Sequence, residues 1–119
     1  MSYVAGYLIP VPDEKRDAYV ESARKAWRIF RDYGAIEIME AWGDVVPEGK
    51  RTDFRRAVDL EAGETVVFSW MIWPDRKTYK ACEDSMETDP RWQEMGADMP
   101  FDGKRMIWGC FAPVFHERA

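Results

Sequence analysis

The 119 residues carry a net charge of -5 from 17 basic and 22 acidic side chains, with 46% hydrophobic and 14% aromatic content. Such a chain is globular, most simply one domain spanning residues 1–119, and large enough to bury roughly two thirds of the surface its unfolded form exposes. The acidic balance argues against a sequence-independent nucleic-acid surface, which is built from Lys and Arg that release counterions. Residues 1–12 lack a basic start and meet Pro10 after about four apolar residues, too few for a signal-peptide core or a membrane span. A cytoplasmic location and no membrane partner are therefore expected.

In chain order, residues 3–11 read as a first strand, rich in aromatic and β-branched side chains and closed by Pro10 and Pro12. Asp13 is expected to cap a helix in which Tyr19, Ala23, Ala26, Trp27, Phe30 and Tyr33 recur at three-to-four spacing, with Gly34 as its stop. Residues 35–42 read as a second strand, with Ile36, Ile38, Glu40 and Trp42 on one parity and Glu37 on the other, so that part of one face is expected to be wet or near the sheet edge. Residues 45–62 lack a sustained apolar period and read as a long surface connection.

Residues 64–73 form the most informative segment, because both parities are apolar: Val66, Phe68, Trp70 and Ile72 on one, Val67, Met71 and Trp73 on the other. Such a strand must be covered on both faces. Helices of so short a chain cover one face, which leaves the other for a second copy and predicts a homodimer. After Pro74 and Asp75 a helix is expected with Tyr79, Cys82 and Met86 inward. Asp89 and Pro90 then start a shorter helix carrying Trp92 and Met95, and after a turn at 100–103 a fourth strand is expected over 104–115. The order β-α-β-β-α-β predicts an α+β, ferredoxin-like arrangement, a four-stranded antiparallel sheet with its first and third strands central and helices on one face.

Several segments together are similar to one bacterial family: Ala41 to Asp44, Val46 to Lys50 with Thr52 to Phe54, the strand ending in Trp73 and Pro74, and Met99 to Met106. On these the chain resembles the YbaA-like family, domain of unknown function 1428. That resemblance implies the dimeric α-β barrel superfamily, in which two sheets face each other, and no established activity. Relatives in the superfamily include cofactor-independent monooxygenases, haem-degrading enzymes, lactone isomerases and ligand-sensing domains, and so wide a reuse of one fold favours no single chemistry.

Cys82 and Cys110, 28 positions apart, form no metal or redox motif and read as reduced. No metal site and no cofactor motif is expected. His116, the only histidine, reads as a solvated tail residue. Among carboxylates, Glu40 is the leading candidate for a buried general base, weighed against a structural salt-bridged role, and Asp44 is the second, weighed against a turn former. Tyr7, Trp42, Asp53 and Ser69 are the candidate ligand-binding residues, Ser69 as the one polar side chain inside the apolar run 66–73 of the central strand. The function expected is binding of a small apolar or aromatic ligand by a homodimer. Cofactor-independent oxygenation or isomerisation is the enzymatic version, a non-catalytic binding or sensing module the second, and a purely structural dimer the third.

Overall fold

The computed structural model describes residues 2–96 and 99–119. Its elements are β1 (Tyr3–Pro12), α1 (Arg16–Asp32), β2 (Glu37–Trp42), α2 (Phe54–Ala57), β3 (Glu64–Trp73), α3 (Arg76–Ser85), α4 (Pro90–Gly96) and β4 (Ile107–Phe111). The four strands form one antiparallel sheet in the order β2-β3-β1-β4. β1 and β3 are therefore central, as the connection order requires, and β2 is an edge strand.

Alternation along the strands sorts their side chains. On one face Ala5, Met71 and Trp73 pack with Tyr79 and Cys82, and Ile9, Val11 and Val67 pack with Tyr19. These two clusters are the core beneath α1 and α3. On the other face Val4, Gly6, Phe68, Trp70, Ile72 and Phe111 line an open concavity of ≈ 500 Å³. Phe68 is 47% and Phe111 60% exposed, while Trp70 and Ile72 are half-buried, so the second apolar parity of β3 is only partly covered within one chain.

Local signals set the element ends. α1 stops as its glycine predicts: Gly34 has φ 106, its N–H donates to Arg31 O, and Ala35 N–H donates to Phe30 O, the pairing of a Schellman motif. A Cβ at Gly34 would stand 2.7 Å from Thr78 Cγ2, so packing as well as dihedral angle demands glycine. Asp75 caps α3 by accepting from Thr78 N–H at 2.7 Å. Asp89 accepts from Arg91 N–H at 3.0 Å, with Pro90 as the first residue of α4.

Four expectations are corrected. Asp13 does not cap α1; it lies in a turn of 3-10 helix, and its side chain accepts from Thr65 Oγ1 at 2.5 Å. Ile36 and Met86 are exposed, because Ile36 precedes β2 and Met86 follows the last turn of α3. β4 occupies five residues rather than 104–115: Arg105 N–H turns back to Asp102 O, and Pro113, lacking an N–H, cannot extend a ladder. The connection 45–62 contains α2, whose Phe54 ring lies 6.0 Å from that of Phe68 at the open face.

Candidate functional site

One cross-strand row crosses the whole sheet on the helix side. Glu40 on β2 pairs with Ser69 on β3, Ser69 with Tyr7 on β1, and Tyr7 with Trp108 on β4. The row runs between the two apolar clusters, since Ser69 separates Val67 from Met71 and Tyr7 separates Ala5 from Ile9. A carboxylate in such surroundings is costly unless its oxygens are bonded. Both are. Tyr19 Oη donates to Glu40 Oε1 at 2.5 Å, and Ser69 Oγ donates to Glu40 Oε2 at 2.9 Å.

Both donors are neutral, and among the described residues no Lys or Arg forms an ion pair with Glu40. Burial therefore dominates and raises the Glu40 pKa above its ordinary value, although the Tyr19 and Ser69 hydrogen bonds pull the other way. Burial likewise pushes the Tyr19 and Tyr7 phenols up, with the Glu40 charge adding to it at Tyr19, so both remain protonated donors near neutral pH. The result is a base of raised proton affinity flanked by hydroxyl groups that keep their protons.

The sequence candidates fall into two sets. Glu40, Ser69 and Tyr7 share the row, and Trp42 lies two residues beyond Glu40 on the same face of β2, against the second cluster. Asp44 lies elsewhere, exposed, on a polar concavity of ≈ 480 Å³ lined also by Arg55, Glu61 and Glu64. Asp53 is occupied as the cap of α2, accepting from Arg56 N–H at 2.7 Å and Gly49 N–H at 3.0 Å, bonds that hold its carboxyl below the usual range. The apolar period of the sequence marks Tyr19 only as a core position of α1. Its signal was chemical, because a Tyr on an apolar helix face needs a partner for its hydroxyl.

The site is closed. Glu40 lines neither of these concavities nor the ≈ 860 Å³ groove between α1 and α4. Phe101 and Met106, in the connection before β4, pack on the second cluster, and the Phe101 ring meets Tyr19 edge-on at 5.8 Å. His116 lies at the open-face concavity, away from this row. Among the described residues no group of three or more His, Cys, Asp or Glu is arranged to hold a metal ion, and both cysteines are free. No described helix is long and apolar enough to cross a membrane.

The architecture is that of a ferredoxin-like α+β protein. A dimeric ferredoxin-like protein from an uncultured marine organism superposes with a TM-score of 0.58 at 9% identity, covering 98% of this chain and 100% of its own. SnoaB, a cofactor-independent oxygenase from Streptomyces nogalater, gives a TM-score of 0.51 at 10% identity over 97% and 95% of the two chains. At such identities the likeness establishes the fold alone. Residues 2–103 match the family described as "Protein of unknown function (DUF1428)", and the chain belongs to that family. The uncharacterized protein YbaA of Escherichia coli K12 is 49% identical over 117 residues, 98% of this chain and 100% of YbaA.

Proposed function

We propose that this chain is a cytosolic homodimer that takes a small, largely apolar ligand against the helix-side row and moves a proton on it with Glu40. That step is shared by cofactor-independent oxygenation and isomerisation. The observation that carries the reading is the Glu40 carboxylate, held by Tyr19 and Ser69, without a cation partner among the described residues, between two apolar clusters. A structural carboxylate is ordinarily paired with a charge or solvated; one whose proton affinity burial raises is better suited to proton transfer than an exposed carboxylate. The dimer is supported by the partly covered apolar face of β3 and by the dimeric character of the marine ferredoxin-like protein. The free thiols suit a reducing compartment, and the net charge of -5 supports no nucleic-acid partner.

Glu40 takes a proton from an acidic C–H of the ligand and leaves a carbanion, whose charge a neighbouring carbonyl oxygen shares and the Tyr7 phenol meets as a hydrogen-bond donor. Return of the proton to a different carbon completes an isomerisation with no change in electron count. In oxygenation the carbanion attacks dioxygen, and the peroxide anion recovers the proton from Glu40. Loss of water from that hydroperoxide then leaves a carbonyl.

The test is exchange of the acidic C–H protons of 2-tetralone for deuterium, followed by NMR. The wild type should exceed Glu40→Gln by about a hundredfold. Equal rates for the two proteins would remove Glu40 as the base. Saturable binding of 2-tetralone without enhanced exchange would assign the non-catalytic binding module instead.

A further inference from the structure

Two contacts between α1 and β2 run side by side. Tyr19 reaches Glu40, and Arg16, three residues earlier on the same side of the helix, places its guanidinium carbon 5.3 Å from the centroid of the Trp42 ring. Trp42 in turn stands two residues beyond Glu40 on the same face of β2. The helix thus presents a phenol to the base and a cation to the aromatic ring next to it.

Arg16 runs against local preference. It is the first residue of α1, where the helix dipole favours acidic side chains. It is exposed, and among the described residues no carboxylate pairs with it. Its acidic neighbours do not take it up: Asp13 accepts from Thr65, and Glu14 and Asp17 form no ion pair. A guanidinium held over an aromatic face by a cation–π contact uses none of its N–H donors for that contact, and a free guanidinium fork suits bidentate recognition of a carboxylate. In a chain of net charge -5, the surrounding field opposes anions unless a cation is held where one must bind.

We propose that Arg16 is the specificity residue of the Glu40 site, binding the carboxylate of a flat aromatic acid whose ring lies along Trp42 toward the cross-strand row. This rests on the reading of the row as a ligand site and narrows its ligand from apolar molecules in general to planar monoanions. Trp42 then serves twice, as the plate that fixes the guanidinium and as a wall for the ring. Phe101 and Met106 supply further apolar surface beside it.

The experiment is isothermal titration of the full-length protein at low ionic strength with 2-naphthoate and its neutral isostere 2-naphthamide. The wild type should prefer the carboxylate by about tenfold or more, the range of one charge-assisted hydrogen-bonding pair, and added salt should erode the preference. Arg16→Gln should abolish the preference while binding the amide unchanged, and Arg16→Lys, lacking the fork, should keep only part of it. Thermal melts of both variants should match the wild type, since Arg16 is exposed. Equal affinities in the wild type, an undiminished preference in Arg16→Gln, or no saturable binding of either compound would each overturn the proposal. Glu40→Gln separates the two readings. A preference lost in Arg16→Gln but kept in Glu40→Gln upholds anion recognition even where 2-tetralone exchange shows no catalysis, and a preference absent from the wild type removes it even where that exchange succeeds.

Discussion

Glu40 ties its ionisation to folding in a direction opposite to most carboxylates. Its pKa is raised in the folded protein, chiefly by burial, so the folded state holds the proton more tightly than the unfolded one. The stability linked to that proton is fully present below the unfolded pKa and is lost as pH rises through the folded value. Gln at position 40 mimics the protonated form and has nothing to lose. The expected outcome is that Glu40→Gln gains on the wild type in urea midpoint as pH rises above the ordinary Glu range, and that the gap closes on acidification. A gap independent of pH would show that Glu40 titrates like an exposed carboxyl. Ser69 also finds its reason at this scale. The sequence shows a hydroxyl set between Phe68 and Trp70 in an apolar run, and parity alone puts Glu40 and Ser69 on named faces. What joins them is the register of β2 against β3, a tertiary property that alternation does not encode.

At the scale of elements, the connection that roofs the Tyr19 side is fastened by Arg105. Its Nη1 and Nη2 donate to Glu64 Oε1 and Oε2, each at 2.7 Å, its Nε donates to Asp102 Oδ2 at 3.1 Å, and Nη1 also donates to Asp59 O at 3.0 Å. Asp59 is held at φ 50, a left-handed conformation uncommon outside glycine. The Arg105 and Glu64 side chains are only 18% and 9% exposed, so removing one leaves the other poorly solvated. Arg105→Ala should cost about 2 kcal/mol in chemical unfolding, and Phe101 should become mobile in hydrogen exchange before the sheet does. A loss below about 0.5 kcal/mol would mean that this fork behaves as a surface pair. Arg105 holds the Glu64 carboxyl below its ordinary pKa, so the stability this pair adds is present above the unfolded pKa and lost as pH falls through the folded one.

The same fastening explains what could be read in advance and what could not. The stop at Gly34, the cap at Asp89, the break at Pro74 and Asp75, and the two apolar parities of β3 are local signals and were legible. The late start of β4 was not, because Arg105 is drawn into a turn by Glu64, 41 residues away. α2 stayed hidden in the 45–62 connection because four residues carry no period, although Asp53 ahead of Phe54 is a cap in the right place. Sequence proximity grouped Asp44 and Asp53 with Glu40 and Trp42. The chain separates them, since β2 ends at Trp42 and a backbone leaving a strand no longer keeps its face.

For the whole molecule, the helix side of the sheet is filled and the other side is not. Phe68, Ile107 and Phe111 are exposed beside the ≈ 500 Å³ concavity, where a second sheet would find an apolar surface. Sedimentation at micromolar concentration should give about twice the 13.9 kDa chain mass, and Phe68→Lys should reduce it to the mass of one chain without loss of helical circular dichroism. A monomeric wild type would exclude the dimer, and a Phe68→Lys protein that stays dimeric would place the interface elsewhere.

Trp73 is wholly buried between β3 and α3, and its indole Nε1 meets no acceptor among the described residues. Trp70 lies at the open-face concavity, Trp42 beneath Arg16, and Trp108 is 55% exposed at the end of the polar row. In optical terms the protein carries a separate chromophore on each surface that matters. Trp73, shielded from water and without a hydrogen-bonding partner among the described residues, should emit furthest to the blue and resist quenching best, and its red shift should time opening of the interior. Trp70 responds to whatever covers the bare sheet, and Trp42 to whatever displaces solvent from the guanidinium above it, so single-tryptophan variants let assembly, ligand entry and unfolding be timed independently in one molecule.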